Sequence, residues 1–192
     1  MNADEEYLLG AMGDAYLDVK RSELQFYQKD VSWLEDINEI LDRLFGLKGK
    51  IFKRDVFWLR KRNKRMAARI VELRGEEIVD GKSFVAGLFD SEGSFYLSSK
   101  SKIPVADITQ CDKGLKSLEI AKRVLDGLGI KCVINGPYNH KHAKRPQFHL
   151  RIYGAARCGR FFEEIPLKHR RKIEKFMSLS KSGGLQTLTL LR

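Results

Sequence analysis

The feature that most constrains this chain is that it repeats itself. Gln28-Lys29-Asp30 returns as Gln110-Cys111-Asp112, Leu41-Asp42-Arg43-Leu44 as Leu125-Asp126-Gly127-Leu128, and Phe57-Trp58-Leu59-Arg60 as Phe148-His149-Leu150-Arg151. The offset grows from 82 to 84 to 91 residues because the later turns are longer. Each echo is short, but three in the same order point to duplication. Whatever one half folds into, the other must fold into as well, so 192 residues become two small copies joined in the middle.

Within each half the hydrophobic periods agree. Residues 6 to 14 read as a short apolar helix, Tyr16 to Lys20 alternates with period 2, and Lys20-Arg21-Ser22 turns the chain into Glu23 to Gln28. Val31, Leu34, Ile37, Leu41 and Leu44 form a helical stripe that Gly46 closes. Strands follow near Lys48 to Lys53 and Asp55 to Lys61, then a basic helix from Asn63 to Arg74. The second half predicts a helix over 83–91, strands over 94–100 and 104–110, a helix over 113–128 ended by Gly129, strands over 130–138 and 147–153, and helices to about Leu179. Residues 1–74 are thus one αββαββα half, 75–82 a charged, Gly-containing linker, and 83–192 the second half. The expected class is α+β, with helices on one face of each of two antiparallel sheets.

The exposed sheet faces are where function is expected. Leu17 and Val19 oppose Tyr16, Asp18 and Lys20; Phe95 and Leu97 oppose Ser94, Tyr96, Ser98 and Lys100. Polar and basic side chains on a β-ribbon suit the edges of bases in a major groove. Lys and Arg number 36 against 25 Asp and Glu, a net charge of +11 that fits a phosphate-backbone binder. The run Arg60 to Arg65 places positive charge at a helix start, where the dipole opposes it and phosphate contact explains it better. Trp33, Trp58 and the eleven Phe read as core, with Trp58, in phase with Arg60, the one able to reach DNA.

Other classes are disfavoured. No apolar run approaches a membrane span, and the start Met1-Asn-Ala-Asp-Glu-Glu lacks a basic signal-peptide onset, so an intracellular place, cytoplasmic or organellar, is expected. Cys111, Cys132 and Cys158 are odd in number without CxxC spacing, which fits a reducing compartment. His140, His142, His149 and His169 show no ligand spacing with Cys, which argues against zinc.

The most informative segments are Tyr7-Leu-Leu-Gly-Ala-Met-Gly-Asp14 and Phe84-Val-Ala-Gly-Leu-Phe-Asp-Ser-Glu-Gly93. Both are apolar nearly all round, which for short helices means burial, and Gly10, Gly13, Ala86 and Gly87 let two backbones approach closely. Each ends in an acid. A carboxylate at a helix C-terminus is opposed by the macrodipole, and two side by side repel, so the arrangement calls for a cation.

Val85 to Gly93 resembles the nine-residue signature of the LAGLIDADG homing endonucleases, and two copies in one chain resemble the monomeric members. The resemblance covers nearly the whole chain. It implies αββαββα halves, the motif helices at their interface, and two sheets forming a DNA-binding saddle. It implies that Asp14 and Glu92, with Gly13 and Ser91, hold divalent metal, for which Mg²⁺ fits carboxylate, carbonyl and water ligands best, Mn²⁺ or Ca²⁺ being able to substitute for binding. It makes Gln28 and Gln110 the glutamines near the attacking water, and Lys61, Lys102, Lys168 and Arg170 candidates for the basic residue near the scissile phosphate. DNA contacts are expected from Tyr16, Asp18, Lys20, Arg21, Glu23, Gln25, Lys53, Arg54, Trp58, Arg60, Ser94, Tyr96, Ser98, Lys100, Asp107, Asn135, His149 and Arg151. The implied activity is metal-dependent hydrolysis of one phosphodiester in each strand of a double-stranded target by an intron- or intein-derived monomer. A splicing maturase that binds intron RNA and a non-cutting DNA-binding protein stay open. The first copy departs from the pattern, with three residues between Gly10 and Asp14 where the family has four. Either Asp14 is catalytic in a shifted frame or this half is degenerate.

Overall fold

The computed structural model describes residues 1–139 and 144–182, without the side chains of 14 and 180–182. His140 and His142 therefore lie outside the described residues. The first half runs α1 (Ala3–Ala11), a 3₁₀ turn (Met12–Asp14), β1 (Ala15–Asp18), β2 (Glu23–Gln28), α2 (Val31–Phe45), β3 (Lys50–Lys53), β4 (Phe57–Arg62) and α3 (Lys64–Leu73). The second runs α4 (Lys82–Glu92), β5 (Gly93–Leu97), β6 (Pro104–Cys111), α5 (Leu115–Gly127), β7 (Val133–Tyr138), β8 (Gln147–Tyr153), α6 (Ala155–Glu164) and α7 (Arg170–Ser182). The sheets are antiparallel with orders β1-β2-β4-β3 and β5-β6-β8-β7.

Strand register confirms the repeat. Gln28 pairs with Phe57 as Gln110 pairs with Phe148, and Gln25 with Arg60 as Asp107 with Arg151. Helix ends follow local chemistry. Asn2 caps α1 in a reciprocal box with Glu5, Asp30 caps α2, Asn63 caps α3, and Gly46 and Gly129 take the left-handed conformation that ends a helix. Asn63 also divides the basic run: Arg60, Lys61 and Arg62 belong to β4, and α3 starts at Lys64.

Two strands stop earlier than their periodicity predicts. β1 ends at Asp18 because the Asp18 carboxylate accepts from the Arg21 N–H (3.0 Å) and Ser22 turns to φ 52°. Val19, expected inward, is 57% exposed in that turn. β5 ends at Leu97 because the Ser98 N–H donates to the Ile103 carbonyl (2.9 Å) and closes the hairpin. Lys20, Arg21, Ser98 and Lys100 therefore sit at hairpin ends.

The halves join through α1 and α4. A Cβ on Gly10 would lie 2.8 Å from the Leu88 nitrogen and closer still to the Phe84 carbonyl; one on Gly87 would lie 2.8 Å from the Ala11 nitrogen and closer still to the Tyr7 carbonyl. The contacts are reciprocal, as a pseudo-two-fold rotation between the halves requires. Around them, Tyr7, Leu8, Ala11, Val85, Ala86 and Phe89 are sealed from solvent at 1% exposure or less, which explains helices that are apolar on all sides.

The connection between halves is pinned. Glu6, 1% exposed, accepts the N–H groups of Val79 (2.7 Å), Asp80 (3.1 Å) and Gly81 (2.9 Å). Three backbone donors converging on one carboxylate satisfy a charge that would otherwise be costly to bury. Replacing Gly87 with Ala should force α1 and α4 apart and destabilise the protein by about 3 kcal/mol, read as a lower urea midpoint; an unchanged midpoint would show that the crossing is not tight.

Candidate active site and nucleic-acid interface

Because α1 and α4 cross at their glycines and run in the same direction, their C-termini arrive together. A Cβ on Gly13 would lie 2.7 Å from Glu92 Cγ and 2.8 Å from Glu92 Oε1, so the half-buried Glu92 side chain rests on the backbone just before Asp14. The one-residue shortfall in the first motif is absorbed in the backbone. From Ala11 the chain tightens to a 3₁₀ turn, which rises about 2.0 Å per residue against about 1.5 Å in an α-helix. Three residues thus span what four would span. Ala15 then pairs with Phe26 as Gly93 pairs with Ile108, so the backbones of Asp14 and Glu92 occupy equivalent places.

The cation that a helix C-terminus calls for is partly supplied by the protein. The Lys172 ammonium, from α7, donates to the carbonyls of Phe89 (2.9 Å), Asp90 (2.7 Å) and Ser91 (3.2 Å). The Ser91 carbonyl thus meets a lysine, and its hydroxyl donates to the Leu88 carbonyl (3.1 Å). In the sequence Lys172 reads only as part of the basic run from Lys168, because nothing in its local pattern ties it to a helix 80 residues earlier.

Lys172 belongs to a strap, from about Ile165 through α7, that ties the halves together. The Lys168 N–H (2.7 Å) and the Tyr7 hydroxyl (2.6 Å) both donate to Asp90 Oδ2, and Trp33 Nε1 donates to that hydroxyl (2.8 Å). Burial pushes the Asp90 carboxyl up to about 6, although these donors pull it down. His169 stacks on Trp33 at 5.9 Å, and burial drives its imidazole down to about 4.

The open face of the first sheet is a grid of three rows. Nearest the acid end stand Tyr27, Trp58 and Phe52; next Tyr16, Gln25, Arg60 and Lys50; and farthest Asp18, Glu23 and Arg62. Glu23, 2% exposed, accepts from Arg60 (2.6 Å) and Arg62, and its carboxyl is drawn down to about 2 by the Arg60 hydrogen bond first. Gln25 also donates to Glu23. Glu23 is thus an internal anchor that aims arginines rather than a free reader of bases. Arg54 and Arg60 lie 5.2 and 5.6 Å from the Trp58 ring.

The second sheet repeats the grid with other chemistry. Thr109, His149 and Asn135 stand at the acid end, then Ser94, Asp107, Arg151 and Val133, then Tyr96, Val105 and Tyr153. Asp107, 5% exposed, accepts from the Tyr96 hydroxyl (2.9 Å) and Arg151 Nε (3.0 Å) and meets His149 Nδ1 at 3.0 Å. Burial and this bond raise the Tyr96 hydroxyl to about 12. Asp107 anchors here as Glu23 does there.

Gln28 and Gln110 each lie at the acid end of their sheet, one residue beyond the first row. Gln28 Oε1 accepts the Lys29 N–H (2.8 Å), and the Gln110 amide packs against Gly114. The lysines fall elsewhere. Lys61 pairs opposite Leu24, away from the acids, has the helix-facing parity of Leu59, and donates to the Lys48 carbonyl (2.9 Å). Lys102 sits in the β5–β6 hairpin turn at φ 53°, the far end of that sheet. Both are therefore set apart from Glu92, because their strands carry them outward from it. The Lys168 ammonium lies 5.4 Å from the Tyr7 ring, within the strap, and Arg170 opens α7 on the surface. Lys53 has the parity of Ile51 and lies 5.8 Å from the Phe57 ring, on the helix side of the grid.

Residues 81–166, from the approach to α4 through α6, match the model of a LAGLIDADG-like domain. The homing endonuclease I-DmoI, in complex with DNA and Ca, superposes with a TM-score of 0.66 at 23% identity over 90% of this chain and 97% of that one. An I-DmoI variant bound to its target DNA in the presence of Mg gives 0.62 at 26% identity over 87% and 97%. The I-LtrWI LAGLIDADG homing endonuclease bound to target DNA gives 0.59 at 13% identity over 96% and 91%. This chain has the LAGLIDADG homing-endonuclease fold. Among the described residues no helix is long and apolar enough to cross a membrane.

Two outcomes test the LAGLIDADG helix ends and their strap. Lys172→Met should remove three charge-assisted bonds and cost about 2 kcal/mol of stability; a loss within error in urea unfolding would mean that water replaces the ammonium. His169, neutral in the fold with a lowered value, takes up a proton on unfolding, so its contribution falls as pH drops from about 6.5 to about 4. Asp90, with a raised value, acts oppositely between about 3.8 and about 6. His169→Phe should therefore gain stability relative to the parent as pH falls from 6.5 to 4; parallel curves would contradict a buried neutral imidazole.

Proposed function

We propose that this protein is a monomeric, site-specific double-stranded DNA endonuclease that hydrolyses one phosphodiester in each strand. The observation that carries the reading is Glu92 resting on Gly13. It puts two acid-terminated helices side by side at the junction of two antiparallel sheets whose open faces carry organised arginines. The LAGLIDADG-like match over α4 to α6, and the binding of target DNA by I-DmoI and I-LtrWI, support it.

The donor set suits a hard divalent cation. Asp14 and Glu92 bring carboxylates and Gly13 a main-chain carbonyl, all oxygen, and Mg²⁺ is the ion such ligands favour in the presence of phosphate. I-DmoI has been crystallised with DNA and Ca or Mn. A divalent ion held there would supply Lewis-acid charge at the scissile phosphate and lower the pKa of a coordinated water. The rest is the protein's work. Gln28 and Gln110, at the acid ends of β2 and β6, orient attacking water. Arg60 and Arg151, held by Glu23 and Asp107, fix the duplex across the two sheets, with Tyr16, Gln25, Ser94, Asn135 and His149 facing the bases.

Purified protein incubated with a randomised duplex library and Mg²⁺ should release fragments with staggered ends at one preferred sequence. Asp14→Asn and Glu92→Gln should each lower cutting by at least about a hundredfold while duplex binding in Ca²⁺ persists. Selection of bound duplexes left whole by the parent protein would instead make this a DNA-binding protein whose acids are relics.

A further inference from the structure

The two sheets differ most in the row nearest the acids. In the first sheet that row is aromatic: Tyr27 and Trp58 stack at 5.6 Å with planes 13° apart, and Phe52 lies 5.8 Å from Trp58. At the equivalent register the second sheet has Thr109, His149 and Asn135. Tyr27 and Phe52 are 44% and 43% exposed on the open face, so this is a plate presented outward, not a core.

The plate offers bases almost no hydrogen bonds. The Tyr27 hydroxyl is directed to Gln25 Oε1, Trp58 Nε1 is buried without a hydrogen-bond partner among the described residues, and the Phe52 side chain has no polar atom. Nor does Trp58 present a free face for intercalation, since Tyr27 lies against it and the Arg54 and Arg60 guanidiniums sit over it. An apolar surface in a major groove can distinguish bases in one way. It gains from the C5-methyl of thymine and loses where it desolvates the amines of adenine or cytosine or the acceptors of guanine. Arg54 and Arg60 beside it supply the charge to hold the backbone.

Building on the endonuclease reading, we infer that Tyr27, Trp58 and Phe52 form a methyl-reading plate that selects thymine in the base pairs next to the cut on the first half's side of the target. The opposite row reads the other side differently. Thr109 and His149 bond at 3.1 Å and, with Asn135, present donors and acceptors suited to the polar edges of purines. The target should therefore be lopsided, dependent on methyl groups near its centre on one side and on hydrogen bonds on the other.

The test is a binding selection in Ca²⁺ from two randomised duplex libraries, one made with thymine and one with deoxyuridine, followed by sequencing of the bound fraction. The thymine library should enrich T at central positions on one side of the site. In the selected site, deoxyuridine there should weaken binding about fourfold per methyl removed, whereas on the other side it should have no effect. 5-Methylcytosine at the same central positions should recover part of the loss against cytosine. Phe52→Ser and Tyr27→Ser, both at exposed positions, should flatten the T preference there and leave the other side intact. Equal affinity for the thymine and deoxyuridine sites, or a T preference that survives both variants, would overturn the plate while leaving the endonuclease reading standing. Failure to enrich any duplex would overturn that reading itself.

Discussion

The crossing of α1 and α4 at Gly10 and Gly87 is the constraint on which the rest depends. Backbone meets backbone there with no room for a methyl group. The helix axes consequently lie close enough for the helices to end side by side, and Glu92 comes to rest on Gly13. Any bulk at the crossing would separate the acids as well as the halves. The sheets inherit their placement from the same contact, since β1 and β5 start directly where the helices end. One tight helical pair thus fixes where both helices end and where both sheets begin.

Carboxylates do two distinct jobs in this positively charged chain. At the helix ends the backbones of Asp14 and Glu92 occupy equivalent places where the dipole opposes a carboxylate, an arrangement that a cation would relieve. On the sheet faces Glu23 and Asp107 are nearly inaccessible, and each is surrounded by donors. The second pair costs the surface two negative charges but gives the arginines fixed directions, and an arginine held by a bidentate-capable partner loses less freedom when it meets a phosphate or a base. Glu6 shows a third use, with a buried carboxylate gathering the backbone N–H groups of the connection between halves.

Much of this was legible in the sequence because repetition and period are local signals. The bounds of α2, Val31–Phe45, follow from its stripe and Gly46; β2 and β8 fall where alternation puts them; and the helices flanking the acids announce burial by being apolar all round. Strand ends were misjudged where a side chain captured the backbone, as Asp18 does with Arg21. Long-range partners were missed altogether. Nothing near Lys172 indicates that its ammonium reaches the end of α4, and nothing near Glu23 or Asp107 marks them as anchors, since that depends on which strand becomes the neighbour. The resemblance offers Lys61 and Lys102 as candidates for the basic residue near the phosphate, and the topology carries both outward from the acids.

A duplicated chain is free to make its copies different, and the differences are not spread evenly. The shared framework, helix crossing, strand order and register, is conserved between halves because each half must present the same shape to the other. The faces turned outward carry no such obligation. There Trp58 answers His149, Tyr27 answers Thr109 and Gln25 answers Asp107 at equal register. The strap breaks the symmetry inside as well: among the described residues α7 has no counterpart in the first half, and Lys172 engages the carbonyls that end α4. The two acid ends are alike in backbone position. Equivalence of position therefore does not carry over to equivalence of form: one end closes as a 3₁₀ turn and the other as an α-helix whose last carbonyls meet the Lys172 ammonium.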